Sequence, residues 1–339
     1  MSKIVFAEVR PWEQEYVKLH SGSWAGDIIF SESIVSKDNF SIPEDTVILS
    51  VFVNSIISRE VIDRLPKLKL VVTRSTGYDH VDVKACQEKG ISVSYVPSYG
   101  ENTVAEFAFA LILSLSRKIY QSFDQIRESG SFSVSSLQGF DLKGKTLGVV
   151  GTGRIGQHSI RMAKGFDMEV AAYDTHPNEE LSKNLDFTYW PLEEVLKKSD
   201  IVTLHVPYLP ETHHLMNERT LRLMKKGSIL INTSRGGVVD TSALVEVLKD
   251  GHLGGAGLDV LEEEGVIKDE LSFLKHGHPE EHNLKTILAG HILIDMPNVI
   301  ITPHNAFNTQ EALQRILNTT IENISGFNLG SPVNVIQPH

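Results

Sequence analysis

Short apolar runs alternate with amphipathic segments of helical periodicity along this 339-residue chain, and this alternation restricts its possible folds more than any other feature. Such a rhythm indicates parallel β-sheets covered by helices. The runs form two series, which predicts two sheets. The strands of the first series are predicted at residues 3–7, 27–30, 47–51, 68–74 and 91–95. Those of the second series are predicted at residues 146–150, 169–173, 201–206, 228–232, 255–260 and 299–302.

The second series follows the first along the chain and lies between two predicted helices. A long helix is predicted over residues 102–129 and a last helix over 309–324, because apolar residues recur there at helical spacing. A sheet domain that begins near residue 103 and ends near 303 leaves both chain ends outside it, so the last helix returns to the first domain. We therefore expect an α/β protein with two doubly wound parallel-sheet domains. A Rossmann domain, 103–303, is inserted in a flavodoxin-like domain, 1–102 plus 304–339.

Composition argues against several classes of function. The net charge is −11 and no block of Lys or Arg is present, so we expect no binding to nucleic acid or to anionic membranes. The most apolar stretch, 107–113, is too short to span a bilayer, and the N-terminus lacks the pattern of a signal peptide. Cys86 is the only cysteine, which suits a reducing compartment. We expect a cytoplasmic protein.

A glycine-rich loop follows the first strand of the second series. Apolar residues 147–150 lead into Gly-x-Gly-x-x-Gly, and a helix is predicted directly after it. The first glycine permits a tight turn, the second lets the backbone approach a pyrophosphate, and the third lets the helix pack on the strand. The helix N-terminus favours the anion. The predicted pyrophosphate-binding residues are Gly151, Gly153, Arg154, Ile155 and Gly156.

Asp174 ends the next predicted strand, where dinucleotide-binding folds carry an acid for the ribose hydroxyls. Its carboxylate would repel a 2′-phosphate, and Thr175 and His176, which follow it, offer no guanidinium to bind one. We therefore predict NAD rather than NADP as the cofactor. A glycine turn with a surface Asp at a strand end is the structural alternative, but here the strand, the helix and the acid occur together.

Three further segments carry polar residues at the ends of predicted strands, where open parallel sheets bind ligands. Arg235 follows a buried strand and precedes two glycines, so its guanidinium could bind a carboxylate and polarise a neighbouring carbonyl. Asp259 lies at the end of the next predicted strand and Glu264 follows it, whereas His304 follows a proline at the predicted domain crossing. On these residues alone, a surface salt bridge for Arg235, a solvated face for the Glu run and a structural role for His304 remain alternatives.

The chain resembles the D-isomer-specific 2-hydroxyacid dehydrogenase family, and within it the D-lactate dehydrogenases, over nearly its whole length. The matching segments are residues 75–79, 151–156, 204–207, 232–240, 257–260 and 302–304. The resemblance implies that Arg235, Glu264 and His304 form the catalytic set of an NAD-dependent enzyme.

For the reduction of a 2-keto acid, the resemblance implies that Arg235 binds the carboxylate and polarises the keto oxygen while hydride passes to C2. Protonated His304 then donates a proton to the developing alkoxide, and neutral His304 is the base in the reverse direction. Glu264 would orient the imidazole and favour its charged form. Asp259 would support this arrangement near the nicotinamide or Arg235.

The resemblance also implies roles for residues around the substrate and the cofactor. Ser75, Thr76 and Gly77 are expected to bind the substrate, with the backbone of Thr76 and Gly77 at its carboxylate. Two aromatic residues, Phe52 and Phe307, suit a small apolar side chain, which favours pyruvate and D-lactate. The further cofactor-lining residues are expected to be His205, Val206, Pro207, Thr212, Thr233 and Ser234, together with Arg235 and Asp259.

Glyoxylate/hydroxypyruvate reductase and phosphoglycerate dehydrogenase remain alternatives within the family, and an NAD(H)-sensing corepressor is the alternative of another class. Members of the family are commonly homodimers that pack through the long helix, and we expect the same here. No metal site is expected, because the His-rich residues 276–282 match no known ligand spacing. They lie in a polar stretch, 265–297, that we interpret as a surface insertion.

Overall fold

The computed structural model describes residues 3–22, 24, 27–264 and 284–337. The chain divides into two compact units, Met1–Tyr99 with Asn308–His339 and Gly100–Phe307. Both unit boundaries lie a few residues from the expected ones, which puts His304 and Phe307 in the second unit.

The first unit contains five parallel strands and four helices among its described residues. Its strands are β1 (Lys3–Phe6), β2 (Ile28–Phe30), β3 (Thr46–Val51), β4 (Leu70–Thr73) and β5 (Ser92–Ser94). Its helices are α1 (Pro11–His20), α2 (Arg59–Asp63), α3 (Val83–Glu88) and α12 (Gln310–Asn328). The strand order is β2-β1-β3-β4-β5, which is the flavodoxin-like order, so the predicted sheet is confirmed.

Both faces of this sheet are buried, which explains why its strands are nearly continuous apolar runs. Successive side chains of a strand point to opposite faces. Val5 therefore belongs to one apolar cluster, while its neighbours Ile4 and Phe6 belong to another. The second cluster includes Leu317 and Ile324 of α12, so the last helix packs on the first unit, as expected from the sequence.

The second unit contains seven parallel strands and eight α-helices among its described residues. Its strands are β6 (Thr146–Val150), β7 (Glu169–Tyr173), β8 (Thr188–Tyr189), β9 (Ile201–Leu204), β10 (Ile229–Asn232), β11 (Gly255–Leu258) and β12 (Val299–Ile301). Its helices are α4 (Glu101–Ser116), α5 (Ile119–Ser129), α6 (Arg154–Gly165), α7 (Glu179–Leu185), α8 (Leu192–Lys198), α9 (Glu218–Leu223), α10 (Thr241–Lys249) and α11 (Leu284–Ile294). The strand order is β12-β11-β10-β9-β6-β7-β8, a Rossmann sheet with one additional strand at its edge.

Each sheet has one point where the chain reverses the direction in which it adds strands. In the second unit this point lies between β6 and β9, and in the first unit between β1 and β3. Ligands of open α/β sheets bind outside the carboxyl ends of the strands at such a point. The glycine loop follows β6 and His205 follows β9, whereas Phe52 follows β3.

The predicted helix 102–129 is wrong as a single element, because the structure contains α4 and α5 with a break between them. Lys118 takes a left-handed conformation with φ 50°, and the carbonyl of Ser116 accepts a hydrogen bond from Phe140 N at 2.9 Å. The helix α4 buries nine residues, whereas α5 buries none. The apolar spacing that predicted one helix belongs to α4 alone, because α5 no longer follows the core.

The interpretation of residues 265–297 as a polar surface insertion is wrong for its last part. Residues Leu284–Ile294 form α11, and Ala289 and Leu293 lie in the main apolar cluster of the second unit. The His-rich residues 276–282 lie outside the described residues. Helix α1 and the short edge strand β8 were not predicted from the sequence, because neither has a long apolar run.

Candidate active site

The glycine loop has the geometry that a bound pyrophosphate requires. Gly151 has φ +94°, which side chains rarely allow, and a Cβ there would lie 2.7 Å from the His205 carbonyl oxygen. A Cβ on Gly156 would lie 2.1 Å from the Gly151 carbonyl oxygen, so the start of α6 packs directly on the turn. By contrast, a Cβ on Gly153 would meet no described atom within 4 Å. Gly153 caps α6, so open space adjoins the N–H groups of a helix N-terminus, which fits a phosphate.

Asp174 lies at the end of β7, where its carboxylate also holds the glycine loop. Its Oδ2 accepts hydrogen bonds from Thr152 N at 2.8 Å and Thr152 Oγ1 at 3.0 Å, and its Oδ1 accepts from His176 N at 2.9 Å. Burial raises the pKa of Asp174, but the hydrogen bonds from His176 and Thr152 outweigh it and hold the pKa below its usual value. The carboxylate is thus ionised and can accept ribose hydroxyls. Sequence reasoning missed Thr152 and its hydroxyl partner Tyr189, 2.8 Å away.

His205 follows β9 and faces into the sheet edge rather than into solvent. Its Nε2 lies 2.9 Å from Ser159 Oγ and 3.1 Å from Thr203 Oγ1, and burial lowers its pKa to about 4. The buried Nδ1 has no hydrogen-bond partner within the described ranges, and the same is true of the Thr233 hydroxyl after the adjacent strand β10. Two buried polar atoms without protein partners, after the neighbouring strands β9 and β10, fit a dinucleotide that would supply them.

The loop after β9, which carries predicted cofactor-lining residues, is stabilised by hydrogen bonds within the loop. Thr212 Oγ1 donates to the Pro207 carbonyl at 2.7 Å and accepts from Leu209 N at 2.8 Å. Val206 lies against the glycine loop, because its Cγ1 is 3.1 Å from the position of a Cβ on Gly151. Its side chain is therefore close to the expected pyrophosphate site.

Arg235 projects from the loop after β10, and a buried asparagine shapes that loop. Asn232 is 1% exposed. Its Nδ2 donates to the Arg235 carbonyl at 2.9 Å, and its Oδ1 accepts from Ser234 N at 3.0 Å and Ser234 Oγ at 2.7 Å. The Arg235 guanidinium donates to the Ser234 carbonyl at 2.9 Å. Sequence reasoning missed Asn232, although an amide residue at the end of an apolar strand is a recognisable signal for such a turn.

His304 and Glu264 form a direct pair. His304 Nδ1 lies 2.9 Å from Glu264 Oε1, and the two side chains are 24% and 33% exposed. His304 has φ 53°, a conformation that the turn around it must hold in place. The ring of Phe307 meets the imidazole edge-on, with centroids 6.5 Å apart.

Asp259 holds the turn that carries His304. It is 1% exposed, and its carboxylate accepts hydrogen bonds from Thr302 Oγ1 and from the backbone N–H groups of Asn305 and Ala306, both at 2.8 Å. His304 N also donates to the Asp259 carbonyl at 2.9 Å. Burial raises the pKa of Asp259 above its usual value, and these hydrogen bonds offset only part of that rise. The structure therefore gives Asp259 a positioning contact with His304.

The expected substrate-binding residues Ser75, Thr76 and Gly77 lie in the first unit, directly after β4. Ser75 Oγ donates to the Gly77 carbonyl at 2.6 Å, and Thr76 Oγ1 donates to the Val96 carbonyl at 2.8 Å. The backbone N–H groups of Thr76 and Gly77 donate no hydrogen bond to the described part of the chain, so both are available to a carboxylate. Phe52 follows β3 in the same unit.

The described residues contain neither a metal-binding cluster nor a membrane-spanning helix. No group of three or more His, Cys, Asp or Glu side chains there could hold a metal ion. No helix in that part of the chain is both long enough and apolar enough to cross a membrane.

Comparison with known proteins decides the family. The sequence profile of the "D-isomer specific 2-hydroxyacid dehydrogenase, NAD binding domain" matches residues 109–306. The chain belongs to the D-isomer-specific 2-hydroxyacid dehydrogenase family. It is 39% identical to 2-hydroxyacid dehydrogenase homolog 1 of Schizosaccharomyces pombe over 328 residues, which cover 96% of both chains. It is 39% identical to the glyoxylate reductase of Korarchaeum cryptofilum over 285 residues, or 83% of this chain and 79% of that one.

A solved structure of the family agrees with the fold and the cofactor. The D-lactate dehydrogenase of Aquifex aeolicus, complexed with NAD and lactic acid, superposes with a TM-score of 0.84 at 35% identity, covering 99% of this chain and 100% of that one. The prediction of two parallel-sheet α/β domains is confirmed, and so is NAD as the cofactor of this family member. The protein is an NAD-dependent dehydrogenase of the family, whose substrates are small 2-hydroxy acids.

Proposed function

We propose that the protein interconverts pyruvate and D-lactate, with Arg235, Glu264 and His304 as its catalytic residues. The observation that carries this proposal is the 2.9 Å contact between His304 Nδ1 and Glu264 Oε1, at the sheet edge where Arg235 also lies. A carboxylate on one imidazole nitrogen fixes the tautomer and leaves the other nitrogen for the substrate. NAD supplies or accepts the hydride when it is bound.

The protein's own residues account for the proton and the charges. Glu264 accepts a hydrogen bond from Nδ1–H of His304 and favours a charged imidazole, so Nε2 of His304 can donate a proton to the oxygen on C2. The guanidinium of Arg235 binds the substrate carboxylate and polarises the keto group. In the first unit, the available backbone N–H groups of Thr76 and Gly77 are proposed as donors to a carboxylate ligand.

Aromatic residues support a substrate with a short apolar side chain. Phe307 lies edge-on to the His304 imidazole, which leaves an apolar surface beside the proton donor. The structural similarity to a D-lactate dehydrogenase that was solved with lactic acid supports the same choice. Glyoxylate is the second candidate substrate, because a glyoxylate reductase shares 39% identity with this chain over 285 residues.

Oxidation of NADH in the presence of a panel of 2-keto acids tests this proposal. The panel contains pyruvate, hydroxypyruvate, glyoxylate, phenylpyruvate and oxaloacetate. The highest kcat/KM is expected with pyruvate, and chiral analysis should identify the product as D-lactate. A clear preference for glyoxylate would replace the substrate assignment but keep the mechanism. No turnover across the panel, with intact NADH binding, would favour an NAD(H)-sensing binding protein.

The variant His304→Ala tests the role of the proton donor. Loss of a positioned acid–base group should lower kcat for pyruvate reduction by about 100- to 10,000-fold. The binding of NADH, measured by fluorescence, should change little. His20→Ala, at an exposed histidine of α1, is the matched control and should keep full activity. Near-normal turnover of His304→Ala would refute the assignment.

We also propose that the protein is a homodimer. The helix α5 buries no residue within its own chain, although it carries several large apolar side chains. Four of them are between 45% and 59% exposed: Ile119, Tyr120, Phe123 and Ile126. Their spacing places them along one side of the helix. An apolar helix face of this kind supports packing against a second copy.

A further inference from the structure

A second His–Glu pair uses a glutamate, Glu262, that lies two positions before Glu264 in the sequence. His214 Nε2 is 2.7 Å from Glu262 Oε1, and the side chains are 34% and 15% exposed. The other oxygen of Glu262 accepts hydrogen bonds from Thr241 N at 2.8 Å and Thr241 Oγ1 at 2.6 Å. Both carboxylate oxygens of Glu262 are therefore engaged by protein donors.

The pair connects three loops that follow neighbouring strands. His214 belongs to the segment after β9, Thr241 begins α10 after the Arg235 loop, and Glu262 follows β11. Two backbone contacts bring the same loops together. His214 N donates to the Gly237 carbonyl at 2.9 Å, and a Cβ on Gly236 would lie 2.5 Å from Glu262 N. Glu262 thus stands at the junction of the loops that carry Arg235 and Glu264.

The backbone next to this junction is held in an uncommon conformation. Glu263 has φ 54° and His214 has φ 50°, and such conformations of residues other than glycine persist only where surrounding contacts hold them. Glu263 lies between two anchored neighbours, since Glu262 is bound to His214 and Thr241 and Glu264 is paired with His304. The direction in which Glu264 leaves the turn therefore depends on the anchor at Glu262.

We propose that Glu262 and His214 are positioning residues that hold Glu264 at hydrogen-bond distance from His304. They do not act on the substrate themselves. The hydrogen bonds to His214 and Thr241 fix the backbone at Glu262, and the left-handed turn at Glu263 then presents the Glu264 carboxylate to Nδ1 of His304. The inference rests on the proposed roles of Glu264 and His304.

The pH profile of pyruvate reduction distinguishes positioning from general stabilisation. In Glu262→Ala the Glu264 carboxylate is less well placed to favour the charged imidazole, so kcat should fall about tenfold or more while NADH affinity changes less than about threefold. The alkaline midpoint of the kcat/KM profile should move to lower pH. Glu193→Gln, which removes a carboxylate from an exposed ion pair with Arg219, should leave both quantities unchanged.

Rescue by a conservative variant provides the second arm. His214→Gln keeps an N–H donor near the position of Nε2 and should retain most of the activity, whereas His214→Ala should resemble Glu262→Ala. Equal losses in both His214 variants, or a fall in kcat without any movement of the pH profile, would overturn the positioning role.

A spectroscopic arm does not depend on the substrate. The Nδ1 proton of His304, held by Glu264, should give a slowly exchanging, downfield NMR signal that His304→Asn removes. In Glu262→Ala this signal should broaden or disappear. Should the protein reduce no 2-keto acid at all, the proposed function fails, but this signal still tests the positioning. An unchanged signal in Glu262→Ala would overturn the inference even in an active enzyme.

Discussion

Gly153 and Gly156 belong to one loop, but an added methyl group would meet different surroundings at each. At Gly156 it would collide with the Gly151 carbonyl at 2.1 Å, whereas at Gly153 no described atom lies within 4 Å. Gly153→Ala should therefore keep the Tm within a few degrees yet weaken NADH binding about tenfold or more, because the methyl group occupies the space that a pyrophosphate needs.

Gly156→Ala should lower both the Tm and NADH affinity, because the start of α6 must move away from the turn. Gly165→Ala is the matched control, since that helical glycine also has open space around it and no ligand role. Fluorescence titration with NADH and thermal unfolding provide the two measurements. Unchanged NADH affinity in Gly153→Ala would place the pyrophosphate elsewhere.

His205 should make the stability of the protein depend on pH. Burial lowers its pKa from 6.5 to about 4 in the folded state, so only the unfolded chain takes up this proton as the pH falls between those values. The free energy of unfolding should accordingly decrease by about 2 kcal/mol between pH 7 and pH 5 through this group alone. Above about pH 7 the contribution is constant.

The variant His205→Gln isolates that contribution, because glutamine has no proton to gain and can still reach Ser159 Oγ. Urea unfolding at several pH values should show a smaller loss of stability for His205→Gln than for the wild type below pH 6.5. His20→Gln, at an exposed position, should follow the wild-type curve. Parallel curves for His205→Gln and the wild type would contradict the neutral buried imidazole.

The three consecutive glutamates show how far residues could be assigned from the sequence. Arg235 and His304 were predicted from strand ends, because parallel strands place their carboxyl-end residues together. Glu264 was chosen only by resemblance, since a Glu run has no pattern that separates its members. In the structure Glu262 binds His214 and Glu264 binds His304, and the left-handed turn at Glu263 that separates them is a tertiary effect.

At the scale of elements, Arg74 ties together the ends of three strands of the first sheet. Its Nη2 donates to the carbonyls of Ala7 at 2.6 Å and Glu8 at 2.9 Å, and its Nη1 donates to Ser50 Oγ at 3.0 Å. Burial lowers its pKa to about 10, so the guanidinium is charged at neutral pH. A lysine has one point of charge and cannot reach all three acceptors.

Arg74→Lys should therefore lower the free energy of unfolding by about 1–3 kcal/mol, because buried carbonyls lose their donors. Denaturant unfolding measures the change. Arg219→Lys is the control, since the exposed Arg219 makes one hydrogen bond, to Glu193 Oε1, and it should cost less than about 0.5 kcal/mol. A loss of similar size in both variants would show that the three strand ends do not depend on the guanidinium.

Element types were easier to predict than their ends. The apolar runs of both sheets were recognisable because strands buried on two faces have few polar residues. The break between α4 and α5 was not recognisable, because the apolar spacing up to Leu115 does not indicate where the helix ends and the chain stops packing against the core. The helix α11 was not predicted from the sequence for a different reason. Polar residues 276–282 precede it, and the exposed Leu284 and Leu288 blur the contrast between its apolar and polar faces.

At the scale of the whole molecule, both units have the same construction, a parallel sheet in which the order of strand addition reverses once. Ligands of such sheets bind at that reversal, outside the carboxyl ends of the strands. All residues proposed to bind the cofactor and to move the proton lie in the second unit, whereas the available N–H groups of Thr76 and Gly77 lie in the first. The nested order of the units along the chain could be predicted because a helix pattern, 309–324, follows the second strand series and leaves both chain ends outside that sheet domain.

The oligomeric state is the prediction that belongs to this scale. Phe123 is 59% exposed at the centre of the apolar face of α5. If that face packs against its copy, Phe123→Glu places a charge in an apolar contact twice, once from each subunit, because a two-fold interface repeats every substitution. The dimer dissociation constant should rise about 100-fold or more.

Sedimentation velocity over a range of protein concentrations measures this change. The wild type should sediment as a dimer, and Phe123→Glu as a monomer at concentrations where the wild type remains associated. Leu19→Glu is the matched control, because Leu19 is 80% exposed but stands on α1 of the first unit, and it should stay dimeric. A monomeric wild type, or a dimer that Phe123→Glu leaves intact, would show that the exposed face of α5 has another purpose.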